Sequence, residues 1–162
     1  MLPVTYSDVL DALPCVREVL APTPLYEWPG LSRLLGMPFY LKHENHQPVG
    51  AFKVRGGINL VSRLSDAEKR AGIIGSSTGN QGQSLDFAAS RLGVPCRIVV
   101  PARNNPDKIR AMRNWGATVI EHGRDFDEAR EQTERLAEAE GYRYVHSANE
   151  PLLIAGVGTM AH

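Results

Sequence analysis

The stretch Ile73-Ile74-Gly75-Ser76-Ser77-Thr78-Gly79-Asn80-Gln81-Gly82-Gln83-Ser84 decides how the rest of the chain is read. Ile73 to Ser76 is a short apolar run, as expected of a buried strand. Gln81 to Leu92 has the length and composition of a helix, and Gly93 closes it. Between them lies a polar turn. A strand running through a turn into a helix is the repeating unit of a parallel sheet, and the same unit recurs downstream. Cys96 to Val100 predicts a strand stopped by Pro101. Pro106 to Trp115 predicts a helix, proline first and Gly116 last. Thr118 to Glu121 is a third strand, Asp125 to Glu140 a helix closed by Gly141, and Tyr142 to His146 a fourth strand. The expected fold class is therefore α/β, a parallel sheet with helices on both faces (three layers, α/β/α) and right-handed crossovers. Ligands of such sheets bind beyond the carboxyl ends of the strands, which singles out the loop after Ser76.

Upstream the pattern is less regular. Tyr6 to Leu20 predicts a helix with Ser7 as its cap and Pro14 as a disturbance. Pro22, Pro24, Pro29 and Gly30 mark a turn-rich segment, and Pro38 to Lys42 a short strand. His43 to Phe52 is expected to be a loop, with Lys53 where it becomes a helix whose apolar face is Ile58, Leu60, Val61 and Leu64. Ser65-Asp66-Ala67-Glu68 is a capping box for a further short helix.

Composition narrows the classes of function. A chain of 162 residues, 43% hydrophobic, suits one compact domain or one domain with pieces of a second. Its net charge of zero sets up no field to attract nucleic acid or an anionic membrane. No apolar run approaches the ~18 residues of a membrane span. Met1 to Leu20 carries Asp8, Asp11, Arg17 and Glu18 and lacks the pattern of a secretory signal, so the expected location is cytoplasmic. Cys15 and Cys96 fit no metal spacing and are expected to be free thiols. His43-Glu44-Asn45-His46 does not have the zinc-protease spacing, and Pro48 argues against a helix there, so no metal is expected. His122 and His146, at strand ends, are secondary candidates for the cleft. The charges of residues 125–135 suit a solvated helix face.

Two segments carry chemistry. In the loop, Gly79 and Gly82 are expected to allow a sharp turn and close approach of a ligand. The helix start offers free N–H groups and a positive dipole end, to which Ser77, Thr78 and Asn80 add neutral donors. Neutral donors without Lys or Arg suit a carboxylate better than a triphosphate; an ordinary capped polar turn is the plain alternative. The Walker and nicotinamide glycine patterns are both absent. The second segment is Gly50-Ala51-Phe52-Lys53-Val54-Arg55-Gly56-Gly57. A lone lysine is most often a solvated surface residue. Here small residues precede it, two glycines behind it are expected to leave room for a planar ligand, and Phe52 offers an aromatic face or fills the core. Desolvation favours the neutral form of an amine, which is the form that attacks carbonyls.

Together with Pro22-Thr23-Pro24-Leu25, Tyr40-Leu41-Lys42-His43-Glu44-Asn45 and Ala155-Gly156-Val157-Gly158-Thr159, these segments resemble the fold-type II pyridoxal-phosphate (PLP) enzymes of the tryptophan synthase beta-like superfamily. That group includes serine and threonine dehydratases, threonine synthase, cysteine synthase and serine racemase. Order and spacing agree from Thr23 onward, with Lys53 and Asn80 27 residues apart. The Phe-Lys-x-Arg-Gly form is that of the dehydratase branch. The resemblance implies PLP as cofactor, Lys53 as its attachment point and later the base for the α-proton, Phe52 beside it, and Asn80 at the cofactor's 3′ oxygen. Ser77, Thr78, Gly79, Asn80 and Gln81 would hold the substrate carboxylate, with Thr78 a second candidate for catalysis. The implied reaction is ammonia loss from a hydroxy amino acid such as threonine or serine, giving a 2-keto acid. Val49, Ala51, Gly57, Thr78, Gln81 and His146-Ser147-Ala148-Asn149 depart from the dehydratase pattern, which bears on the substrate and not on the cofactor class.

The family's glycine-rich phosphate cradle and its pyridine-nitrogen partner are not found before His162. The expected division is 1–50 as the N-terminal part of a large domain, 51–150 as a small α/β domain carrying Lys53 and the Asn80 loop, and 151–162 as the return to a large domain whose remainder is absent. Threonine synthase-like, β-replacement and racemase activities are the alternatives within the cofactor class. A catalytically incompetent ligand-binding or interaction domain is the alternative outside it. The expected partner is a small amino acid, with no nucleic acid and no membrane, and a homo-oligomer is left open.

Overall fold

The computed structural model describes residues 4–162. Its centre is a four-stranded parallel sheet: β3 (Ile73–Ser76), β4 (Cys96–Val100), β5 (Thr118–Glu121) and β6 (Arg143–Val145), in the order β5-β4-β3-β6. Period-two alternation sends Ile73, Ile98, Val100 and Val145 to one face and Ile74 and Val99 to the other. The first face packs on Leu85 of α5 (Asn80–Leu92) and on Ile109 and Met112 of α6 (Pro106–Trp115). Behind α5 lies α3 (Val54–Ser62), itself covered by α1 (Tyr6–Val19) and α8 (Pro151–Gly158). The second face is closed by Ala129 and Ala137 of α7 (Phe126–Glu140). The three-layer α/β/α arrangement is the one the strand–helix alternation predicts.

The helix ends follow local chemistry. Gly93, Gly116 and Gly141 terminate α5, α6 and α7 in the left-handed region, at φ 66°, 110° and 75°. Ser65 and Glu68 form the expected capping box at the start of α4 (Asp66–Ala71). At α1 the expectation is corrected: Thr5, not Ser7, is the cap, because its hydroxyl and Asp8 exchange hydrogen bonds with each other's backbone. Pro14 sits inside α1 without ending it.

The turn-rich segment also holds more than turns. Leu25–Glu27 (β1) pairs antiparallel with Tyr40–Lys42 (β2), and Pro29 opens α2 (Pro29–Leu35) between them. None of residues 25–42 is buried. Among the described residues no helix is long and apolar enough to cross a membrane, and no cluster of His, Cys, Asp or Glu could hold a metal ion.

Candidate active site

Lys53 immediately precedes α3 and is half-buried, its Nζ 4.9 Å from the centroid of the Phe52 ring. Phe52 itself is exposed, so it fills no core. The start of α3 is tied to α5 by one buried hydroxyl: Ser84 Oγ donates to the Lys53 carbonyl (2.6 Å) and accepts from the Gly57 N–H (3.2 Å). Ser84 stands one turn beyond the polar loop. This clamp therefore fixes the amine beside a loop far from it in sequence.

The expected use of Gly57 changes accordingly. A methyl group there would lie 2.4 Å from the Ser84 carbonyl oxygen, so glycine serves the contact between α3 and α5 rather than room for a ligand. Gly82 is likewise corrected. A methyl group there would meet the Met112 sulfur at 2.4 Å, so this glycine seats α5 against α6 instead of admitting a ligand.

Within the loop, Ser77 is buried and its hydroxyl is spent locally. It accepts from the N–H groups of Gly79 (3.1 Å) and Gly82 (2.8 Å) and donates to the Gly79 carbonyl (3.3 Å). The N–H groups of Thr78, Asn80 and Gln81 have no acceptor among the described residues. They lie at the positive end of a thirteen-residue helix. The side chains of Thr78 and Asn80 are exposed, while the Gln81 Nε2 is buried without a partner.

A cavity of about 340 Å³ is lined by Lys53, Ser76 to Gln81, Lys108, Phe126 and Ser147. A second, more apolar hollow of about 270 Å³ shares Lys53, Gln81 and Ser147 with it and adds Phe52, Gly56, Leu153, Ile154 and Val157. Every site residue expected from the sequence lines one of the two: Phe52 the apolar hollow, Ser77, Thr78, Gly79 and Asn80 the polar cavity, Lys53 and Gln81 both. A polar side with unpaired N–H donors, an apolar wall and an amine between them suit a flat aromatic aldehyde beside an amino acid. An orphaned donor on the shared wall points the same way. The residues present fit PLP.

Lys108, Phe126 and Ser147 join the cavity without any sequence motif that marks them as site residues. Ser147 reaches the cavity because His146 Nδ1 accepts from the N–H groups of Ala148 (3.0 Å) and Asn149 (2.9 Å), folding that turn tightly. His146 therefore orders the rim. His122 does not line either cavity.

The remaining motif residues meet elsewhere. Arg55 pairs with Glu44 through two hydrogen bonds of 2.8 Å, both side chains buried. Thr23 Oγ1 donates to the same carboxylate at 2.6 Å, and Arg55 also reaches Thr159 Oγ1 at 3.5 Å. Burial by itself would raise the Glu44 carboxyl; the hydrogen bonds from Arg55 and Thr23 outweigh it and hold the group below its ordinary range.

Residues 16–162 match the family described as pyridoxal-phosphate dependent enzyme. The chain is 40% identical over 157 residues to an L-threonine ammonia-lyase of Thermotoga maritima, covering 97% of this chain and 39% of that protein. It is 41% identical to an L-threo-3-hydroxyaspartate ammonia-lyase of Saccharomyces cerevisiae, covering 99% of this chain and 49% of that one. The structure superposes on the processed form of threonine deaminase isoform 2 from Solanum lycopersicum with a TM-score of 0.89 at 36% identity, covering 96% of this chain and 46% of that chain. The chain thus spans between about two fifths and half the length of these relatives.

Proposed function

This chain belongs to the pyridoxal-phosphate dependent enzyme family, and from that membership we propose that it supplies the amine and the carboxylate-binding loop of an ammonia-lyase acting on β-hydroxy amino acids, threonine or serine among them. The observation that carries the proposal is the shared cavity, lined by Lys53 and by Thr78, Asn80 and Gln81, whose N–H groups have no acceptor among the described residues. Relatives named for threonine and for threo-3-hydroxyaspartate support the substrate class.

Lys53 would hold the cofactor covalently, with Asn80 as its polar contact and Phe52, Gly56, Leu153 and Val157 as the apolar wall. When bound, PLP supplies an electron sink that makes the α-proton of an amino acid removable. The N–H groups at the start of α5 would hold the substrate carboxylate and so orient the substrate relative to Lys53. The Lys53 amine would take the α-proton as a general base. In the net reaction the β-hydroxyl would take up a proton and leave as water, and hydrolysis of the resulting imine would give a 2-keto acid and ammonia. The Thr78 side chain, exposed at the rim, bonds the carboxylate.

The test is reductive trapping. The chain is incubated with PLP, reduced with borohydride, and mapped by peptide mass. Modification concentrated on Lys53 over Lys42, Lys69 and Lys108, and lost in Lys53→Ala, is the expected result. Labelling spread evenly over the four lysines would overturn the assignment. Keto-acid release from L-threonine, L-serine and L-threo-3-hydroxyaspartate, assayed in parallel, identifies the β-substituent accepted.

A further inference from the structure

Lys108 occupies the third position of α6, in the first turn, where a cation opposes the helix dipole. Its tail lies over the carboxylate loop: a methyl group at Gly79 would meet Lys108 Cδ at 3.0 Å and Nζ at 3.2 Å. Gly79 carries no side chain to displace it. The ammonium thus stands beside the positive ends of two helices and in the same cavity as Lys53, and no acidic side chain lines that cavity. The neighbouring carboxylate of Asp107 is taken by Arg110. Lys108 itself has no salt-bridge partner among the described residues. Three sources of positive potential gathered without an acid make an arrangement that an anion relieves. The buried, unpartnered Gln81 Nε2 on the same wall is a further donor without an acceptor.

We propose that Lys108 is a carboxylate-binding residue of this site, adding a full positive charge to the neutral donors of Thr78, Asn80 and Gln81. This rests on the reading of the loop as the substrate-carboxylate site. The loop alone supplies direction through fixed N–H groups. The ammonium supplies charge, on a flexible stem that can follow the carboxylate as it settles. The anchor is a point charge without the planar fork of an arginine, so it adds affinity while the loop sets orientation.

The test uses the 162-residue chain without cofactor, titrated with acetate at low ionic strength and followed by the amide resonances of residues 77–82. Wild-type shifts are expected to centre on Thr78, Asn80 and Gln81. Lys108→Met is expected to weaken acetate binding roughly three- to fivefold, Lys69→Met to leave it unchanged, and added salt to close the gap between Lys108→Met and wild type. Equal affinity in wild type and Lys108→Met, with shifts still centred on the loop, overturns the role of Lys108 and leaves the loop assignment standing. A wild-type titration without shifts at residues 78–81 overturns both.

Discussion

Asp86 shows what one side chain can tell against the fold that holds it. It lies on α5, 1% exposed, and its Oδ2 has no partner among the described residues. Burial pushes its pKa up from 3.8 to about 6, against a smaller lowering by the Ala117 N–H. The buried Cys96 thiol is also pushed up, first by its own burial and then by this carboxylate, so it stays protonated. The linkage has a definite sign. A carboxyl whose folded pKa exceeds its unfolded value contributes most below the unfolded pKa, and that contribution is lost as pH rises through the folded one. The window therefore runs from about pH 4 to about pH 6, and the loss across it is on the order of 3 kcal/mol. Asp86→Asn carries no such titration. Urea denaturation of both proteins from pH 4 to 7.5 is expected to give similar stability at the acid end and an advantage of about 3 kcal/mol for Asp86→Asn at the neutral end. A constant difference across the range would mean that Asp86 does not titrate within it.

Among the elements, the close crossing of α3 and α8 shows what two motif glycines are for. A methyl group at Gly156 would lie 2.6 Å from the Arg55 carbonyl oxygen and 2.8 Å from the Gly56 α-carbon, so two helix backbones touch there. Gly156→Ala is expected to cost about 1–3 kcal/mol, as overpacking in a filled core does. It should also loosen the apolar hollow that Gly56 and Leu153 line. Thermal melts measure the first, and PLP trapping at Lys53 the second; an unchanged melting temperature would refute the close crossing. This crossing was not legible beforehand, because a glycine pair reads equally as room for a ligand. The strands and helices from Ile73 to Val145 were legible, because each follows its own period and ends on its own cap. The segment of β1, α2 and β2 was only half legible. Its prolines read as turns, yet Pro29 occupies the first position of a helix, where a missing N–H costs nothing. Lys108 reads in the sequence as one surface lysine far from the loop; its only local signal is a positive charge in a first helical turn.

At the scale of the whole molecule, one residue from each of four separated motifs meets in a single buried network: Thr23, Glu44, Arg55 and Thr159. The resemblance that the sequence carries is therefore partly architectural. Lys53 and the Asn80 loop carry the chemistry, and this network holds the N-terminal segment to α3. That segment needs the tie, since Leu25, Tyr26, Trp28, Leu34, Leu35 and Met37 are all exposed and give it no core of its own. Removing one partner of a buried pair strands the other charge, at a cost of about 3–5 kcal/mol. Glu44→Gln is accordingly expected to lower stability by that amount. It should also speed amide exchange in Leu25–Glu27 and Tyr40–Lys42 more than in Ile73–Ser76. Glu44→Gln combined with Arg55→Met should recover part of the loss, because no charge is then left unpaired. In the wild type, the Glu44 carboxyl held below its ordinary 4.5 gives stability that is present above that value and lost as pH falls through the folded one. Hydrogen exchange at pH 7 and at pH 4 checks both statements. If residues 25–42 in the Glu44→Gln protein exchange at the wild-type rate, the network is not what anchors this part of the chain.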